Sequence, residues 1–185
     1  NFPALWPDGL PVKSVRLHGR LQQDPRLAIV DDIAIDLGGP MLTANAVVTW
    51  IGSDIAINAD AVLHNMPIAA LDRFWPKHFA KSSRSWITRN MTAGTVQETR
   101  LKLSVRTGGV KPDDMSVESL TGTMQFSGAE VHYMRPLPPA VDANATAVFT
   151  TDKFLITLKS GSVLGLRADP GRINLTRLDT DSERA

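Results

Sequence analysis

The residues of this chain whose types could do chemistry are four histidines, two adjacent aspartate pairs and one basic stretch carrying tryptophan. The histidines stand at positions 18, 64, 78 and 132. None lies three or four residues from another, so no helical turn can bring two imidazoles onto one metal ion, and no His-Glu-x-x-His occurs. They read as four separate imidazoles on or near the surface. Asp31-Asp32 and Asp113-Asp114 read as turn residues, where aspartate bonds to nearby backbone, rather than as an acid–base pair. There is no cysteine, which removes disulfides, thiolate metal sites and thiol catalysis together. No Gly-x-Ser-x-Gly elbow, phosphate-binding loop or dinucleotide fingerprint appears. The expectation is a protein that is not an enzyme and that uses neither metal nor cofactor.

The basic stretch carries Arg73, Lys77, Lys81, Arg84 and Arg89 against Asp72 alone, a net +4 over residues 72–89, interleaved with Trp75, Phe79 and Trp86. One reading is contact with anionic lipid headgroups, at about 1 kcal/mol per basic residue near a charged surface. The other is a solvated outer face with both tryptophans packed on a sheet. The spacing favours the second, because Trp75 and Trp86 fall on the apolar side. Nucleic acid is not an expected partner, since twenty basic residues against nineteen acidic leave only +1 over the chain.

Strands must position almost everything else. In the run 42–50 every even position is apolar, and in 55–63 every odd one is, with Gly52-Ser53-Asp54 between them, so the two runs read as a hairpin with one dry face. The same period of two recurs in Val15, Leu17 and Leu21, and in Ile33, Ile35 and Leu37. It returns in Leu101, Leu103 and Val105, and in Leu120, Met124 and Phe126. It continues through Ala143 to Phe149, Phe154 to Leu158, Leu164 with Leu166, and Ile173 with Leu175. That makes about ten strands, separated by turn dipeptides at Gly108-Gly109, Ser160-Gly161 and Pro170-Gly171. One segment changes period. Ile68, Leu71, Phe74 and Trp75 recur at helical spacing after Pro67, Pro76 interrupts, and a second helix is predicted from Lys77 or His78 to Asn90, with Gly94 ending the helical stretch.

The 185 residues suffice for a substantial core, and the 43% hydrophobic and 21% charged fractions exclude a disordered chain. The first residue is Asn, so a section of a longer protein is expected, with no signal peptide and no membrane-spanning segment in this piece. Some ten one-faced strands need a cover that about 25 helical residues supply only in part. The sheet must close into a barrel, split into a sandwich, or curl into a trough with an apolar interior. Alanines at inward positions (Ala44, Ala46, Ala59, Ala61, Ala143, Ala145 and Ala147) either leave room in that interior or let layers pack closely. The expected fold is mainly β: a strongly curved antiparallel β-meander, as an open groove or partly closed sandwich. A β-meander over 1–66, a two-helix insert over 67–92 (helices near 67–91) and a second β-meander over 93–185 form one domain or fragment.

The central segment resembles a known family. Phe74-Trp75-Pro76, Arg84-Ser85-Trp86-Ile87 and Ala93-Gly94-Thr95-Val96 are similar to the "YWP", "R-x-W-[IV]" and "G-x-[IV]" elements of the AsmA-like superfamily, with the long bacterial YhdP-type members as the nearest pattern. Phe74 stands where tyrosine is usual. Val131-His132-Tyr133 through Leu137-Pro138-Pro139 resembles its "V-x-Y-x-x-x-L-P" stretch, and the likeness covers roughly residues 68–166. Trp75, Pro76, Arg84, Trp86, Gly94, Tyr133 and Pro138 carry it and are expected to be structural. The resemblance implies a periplasmic section of an envelope protein anchored in the inner membrane of a Gram-negative bacterium. It implies repeated β-groove modules, with phospholipid transport and outer-membrane integrity as the associated function.

Both lines converge on lipid binding without catalysis. The expected partners are a phospholipid or other acyl-chain lipid and neighbouring segments of the parent chain. Leu42, Val48, Trp50, Ile55, Ile57, Leu101, Leu103, Val105, Phe154, Ile156 and Leu158 are the expected groove lining. Two rival readings stand beside this one. The first is a structural or assembly module of a long β-scaffold, with a side-chain-filled interior. The second is an enzyme or sugar-binding sandwich, which requires a polar cleft that the sequence pattern does not reveal.

Overall fold

The computed structural model describes residues 9–75, 81–108 and 115–176. Four strands open the chain as successive hairpins: β1 (Ser14–Gln23), β2 (Arg26–Asp36), β3 (Met41–Ile51) and β4 (Asp54–Pro67). A 3₁₀ turn over Ile68–Ala70 leads into the short helix α1 (Leu71–Phe74), and α2 spans Lys81–Asn90. Then come β5 (Met91–Thr107), β6 (Met115–Val131), β7 (Ala140–Thr150), β8 (Lys153–Val163), β9 (Leu166–Arg167) and β10 (Gly171–Thr176). All pairings are antiparallel and join neighbours in sequence, except that β10 pairs with β8 rather than with β9. The ten-stranded sheet does not close into a barrel.

Period-two alternation becomes cross-strand rows of one character. One such row runs through Val15, Ile35, Leu42, Leu63, Thr99, Met124, Ala147, Ile156 and Ile173, across nine strands. Side chains at such a spacing pack directly against their neighbours on the next strand. Irregularities keep the faces sorted. The register of β5 against β6 slips by one between Val96 and Glu98, so Val96 and Thr99 both fall on the apolar face, opposite Phe126 and Met124. Asn65 in β4, at φ 56°, makes the matching adjustment before Met66.

The core sits at one end of that face. Met66, Ile87 and Val96 are the largest side chains taken fully out of water. They join Ile68, Leu71, Leu120, Met124, Phe126, Phe149 and Phe154 in one apolar cluster. Ile87 delivers α2 to the sheet, and Trp75 and Trp86 pack against the same cluster, half-buried. The 3₁₀ turn and α2 pack against β5, and among the described residues no helix covers the rest of the apolar face.

Several sequence expectations need correction. Helix α2 ends at Asn90 as expected, but Gly94 is not what stops it: β5 begins at Met91, and Gly94 lies inside that strand at φ 97°. Helix α2 is described only from Lys81, because Pro76, Lys77, His78, Phe79 and Ala80 lie outside the described residues. Ser160-Gly161 is not a turn but part of β8. Leu164 does not share a strand with Leu166; it occupies the tight turn after β8 at φ 52°. Asp31-Asp32 sit at a bulge inside β2 rather than beside a turn, and Asp113-Asp114 fall outside the described residues. Alternation reports faces well, but it cannot see a bulge, which inserts one residue without changing composition.

Candidate functional site: an open apolar face

The eleven expected lining residues all project from the same side of the sheet. Trp50 pairs with Ile55, Val48 with Ile57, Ile57 with Val105, Ala59 with Leu103 and Ala61 with Leu101. Across the molecule Phe154 pairs with Phe149, Ile156 with Ala147 and Leu158 with Ala145. Their surroundings divide them in two. Phe154 belongs to the core cluster, and Leu101, Leu103, Ile156 and Leu158 pack against it. Leu42, Val48, Trp50, Ile55 and Ile57 are half-buried and stand outside that cluster, and Val105 is buried beside them. The face thus has a filled part around the core cluster and an accessible part towards the β3–β4 turn, around Val48, Trp50, Ile55 and Ile57.

The inward alanines divide the same way. Ala143, Ala145 and Ala147 are buried in the core cluster, where a small side chain lets Phe126, Met124 and Phe149 settle. Ala44, Ala46, Ala59 and Ala61 are only half-buried, in the accessible part. Close packing explains the first set, and low side-chain volume over an accessible floor describes the second. At the rim, the Arg26 guanidinium lies 5.0 Å from the centre of the Trp50 ring, a cation–π contact on the apolar face.

Two of the family-like positions, Arg84 and Gly94, are held tightly in the fold. Arg84 joins the two helices: its Nε donates to the Trp75 carbonyl at 3.2 Å, and its Nη2 donates to the Asp72 carbonyl at 2.9 Å and to the Asp72 carboxylate. Its side chain is only 15% exposed, so the guanidinium is committed to the fold rather than offered to a headgroup. A Cβ on Gly94 would meet Ala129 backbone atoms at 2.7 Å. Pro138 is half-buried in the β6–β7 loop, Tyr133 is exposed in the same loop, and Pro76 lies outside the described residues.

The titratable groups are scattered. His18 on β1 approaches Asp31 on β2 at 4.0 Å, His64 on β4 approaches Glu98 on β5 at 3.9 Å, and His132, just after β6, bonds Glu130 near that strand's end at 3.1 Å. His78 lies outside the described residues. No group of three His, Asp or Glu side chains able to hold a metal occurs among the described residues. Arg100 donates to both Glu98 oxygens, and this hydrogen bonding holds the Glu98 carboxyl below its usual range. Glu118 is lowered in the same way, chiefly by its hydrogen bond from Arg106.

One feature was not legible in the sequence. A cleft of about 730 Å³ crosses the opposite face of the sheet. One wall is Thr43, Val62, Arg100, Thr123 and Val148; the other is Asn45, Asp60, Lys102, Thr121 and Thr150. The Asp60–Lys102 ion pair, at 3.1 Å, lies across the second wall. Asp31 and Asp32 of β2 also line it, and each of β3 to β7 adds a short stretch of three residues, so the cleft gathers segments that are far apart in the chain. Its charges are largely exposed: Lys102 is 79% and Asp60 53% accessible, which leaves the cleft solvated rather than shaped for a buried polar ligand.

No protein-family profile, no curated protein and no solved structure matches this chain. Among the described residues no helix is long and apolar enough to cross a membrane.

Proposed function

We propose that the chain binds lipid without catalysis, shielding acyl chains on the accessible apolar face towards the β3–β4 turn. The observation that carries this reading is the contrast on one face. Val48, Trp50, Ile55 and Ile57 share the face that carries the packed core, yet stay half-exposed, with no helix above them among the described residues. Desolvating an acyl chain there supplies roughly 0.8 kcal/mol per buried CH₂. An apolar trough of this kind selects chains and is indifferent to headgroups. The AsmA-like resemblance extends the proposal: a periplasmic section of an envelope protein, anchored elsewhere in the inner membrane, that moves phospholipid and supports outer-membrane integrity.

The test is native mass spectrometry with lipid extraction, on the wild type and on Ile57→Asp. Phospholipid that co-purifies with the wild type and is lost from Ile57→Asp, at an unchanged melting temperature, supports the groove. A clean protein mass for the wild type sinks it. Ile57 is preferred over Leu103 or Ile156, because those two pack against the core and their replacement confounds binding with folding.

A second reading has its own observation. All ten residues of β1 are exposed, including Val15 at 59%, Leu17 at 65% and Leu21 at 81%, and the strand's outer edge is unpaired among the described residues. An uncapped edge of this kind suits addition of a further strand from a neighbouring segment of a β-scaffold. Size-exclusion chromatography of Leu17→Lys against the wild type tests it: self-association that the lysine abolishes supports strand addition.

A further inference from the structure

We propose that the loop between β6 and β7 (residues 132–139), with the last turn of α2, is a docking tip for an anionic lipid bilayer surface. The proposal rests on the lipid-binding reading and adds to it the place where the protein meets a membrane. Three observations carry it.

The first is apolar exposure on a braced loop. Tyr133 is 43%, Met134 62% and Leu137 47% accessible, so three large apolar side chains within five residues face solvent. The loop is held by backbone bonds: Leu137 N–H donates to the Met134 carbonyl at 2.8 Å, and His132 N–H donates to the Asn90 carbonyl at 2.7 Å. Their exposure is built into the turn.

The second is charge. Arg135 reaches back to α2, its Nη2 donating to the Arg89 carbonyl at 3.3 Å. Arg89 directs Nε to the Ser85 carbonyl and Nη2 to Ser85 Oγ. All these partners are neutral, so among the described residues neither guanidinium beside the apolar tip is paired with a carboxylate. Glu130, the only carboxylate in the 129–139 segment, is engaged by His132 at 3.1 Å.

The third is the combination. A short braced loop that exposes Tyr, Met and Leu beside two arginines suits the bilayer interface, where apolar side chains enter the acyl boundary and guanidiniums bind lipid phosphates. The complementary partner is therefore an anionic membrane rather than an acidic protein groove.

The chain has no cysteine, so Met134→Cys gives one labelling site for an environment-sensitive fluorophore, and Leu164→Cys, in the turn after β8, gives a second for comparison. The probes are vesicles of phosphatidylglycerol mixed with phosphatidylcholine, and vesicles of phosphatidylcholine alone. The label at position 134 is expected to shift to the blue with the anionic vesicles only, and the label at 164 is expected not to respond. Arg89→Gln and Arg135→Gln are each expected to weaken partitioning about fivefold, corresponding to roughly 1 kcal/mol per basic residue. Leu137→Asp is expected to abolish the shift, with an unchanged melting curve as its folding control.

No response to either vesicle overturns the proposal and assigns the loop to a protein contact. Equal response to neutral and anionic vesicles, or at 134 and 164 alike, also overturns it. Extracted lipid is measured on the same preparations. Lipid present without docking removes only the tip, and docking without bound lipid supports the tip while removing the groove.

Discussion

Gly94 and Ala129 face each other across β5 and β6 with no space for a side chain between them: a Cβ on Gly94 would lie 2.7 Å from both Ala129 N and Cα. Gly94 also holds φ 97°, a conformation that L side chains rarely adopt. The closeness belongs to the irregular pairing of β5 with β6 just after α2, where the register shifts twice between Met91 and Thr95. Here the chain passes directly from helix to strand, and Ala129 is 1% exposed beneath it.

Gly94→Ala combines overpacking against backbone with positive-φ strain, and is expected to cost roughly 2–4 kcal/mol. Urea denaturation measures it. A loss below about 1 kcal/mol means that the strands separate easily at this point.

Arg84→Met removes the guanidinium that ties α2 to α1 while keeping much of the side-chain volume. Hydrogen bonds to a charged donor contribute about 1.5–3 kcal/mol each when buried, and the exposed Asp72 contact adds little, so a net loss of roughly 1–3 kcal/mol is expected. Arg84→Lys is expected not to rescue, because an ammonium cannot span the Trp75 and Asp72 carbonyls as the planar fork does. Hydrogen exchange over residues 68–75 is the direct readout, with protection falling in both variants.

Phe126 and Ile57 are expected to respond very differently to truncation. Phe126 is 6% exposed within the core cluster, so Phe126→Ala is expected to cost about 3–5 kcal/mol. Ile57 is half-buried outside it, and Ile57→Ala is expected to cost about 1 kcal/mol or less. Thermal unfolding of the pair distinguishes a filled end from an accessible one, and equal losses contradict the division.

The Arg100–Glu98 pair gives a pH dependence. Arg100 hydrogen bonding, with a smaller contribution from the nearby His64, lowers the Glu98 carboxyl. A lowered carboxylate stabilises the fold above its unfolded value of about 4.3, and that stabilisation is lost as pH falls through the lower folded value. Because the pair is exposed, the clearer measurement is the Glu98 titration itself by NMR. In Arg100→Gln its midpoint is expected to rise towards the ordinary carboxylate range, and an unchanged midpoint removes Arg100 as the cause.

The sequence by itself determined the strand count, the dry face of each strand and the presence of a helical interruption. Alternation at period two and recurrence near 3.6 are local consequences of where side chains point. Even the β3–β4 pairing, Trp50 opposite Ile55 and Leu42 opposite Leu63, follows from the short turn between two phased runs. The tertiary structure alone decided which part of the dry face is filled. Leu103 and Ile57 lie on the same face with the same pattern, yet only Leu103 packs on the core, because its partner on β6 is the buried Leu120, whereas Ile57 pairs with Val105 outside the cluster. The role of Gly94, the Arg84 brace and the bulge that turns Val96 inward were equally out of reach. Each depends on the approach of segments distant in the chain, and periodicity carries no information about that distance.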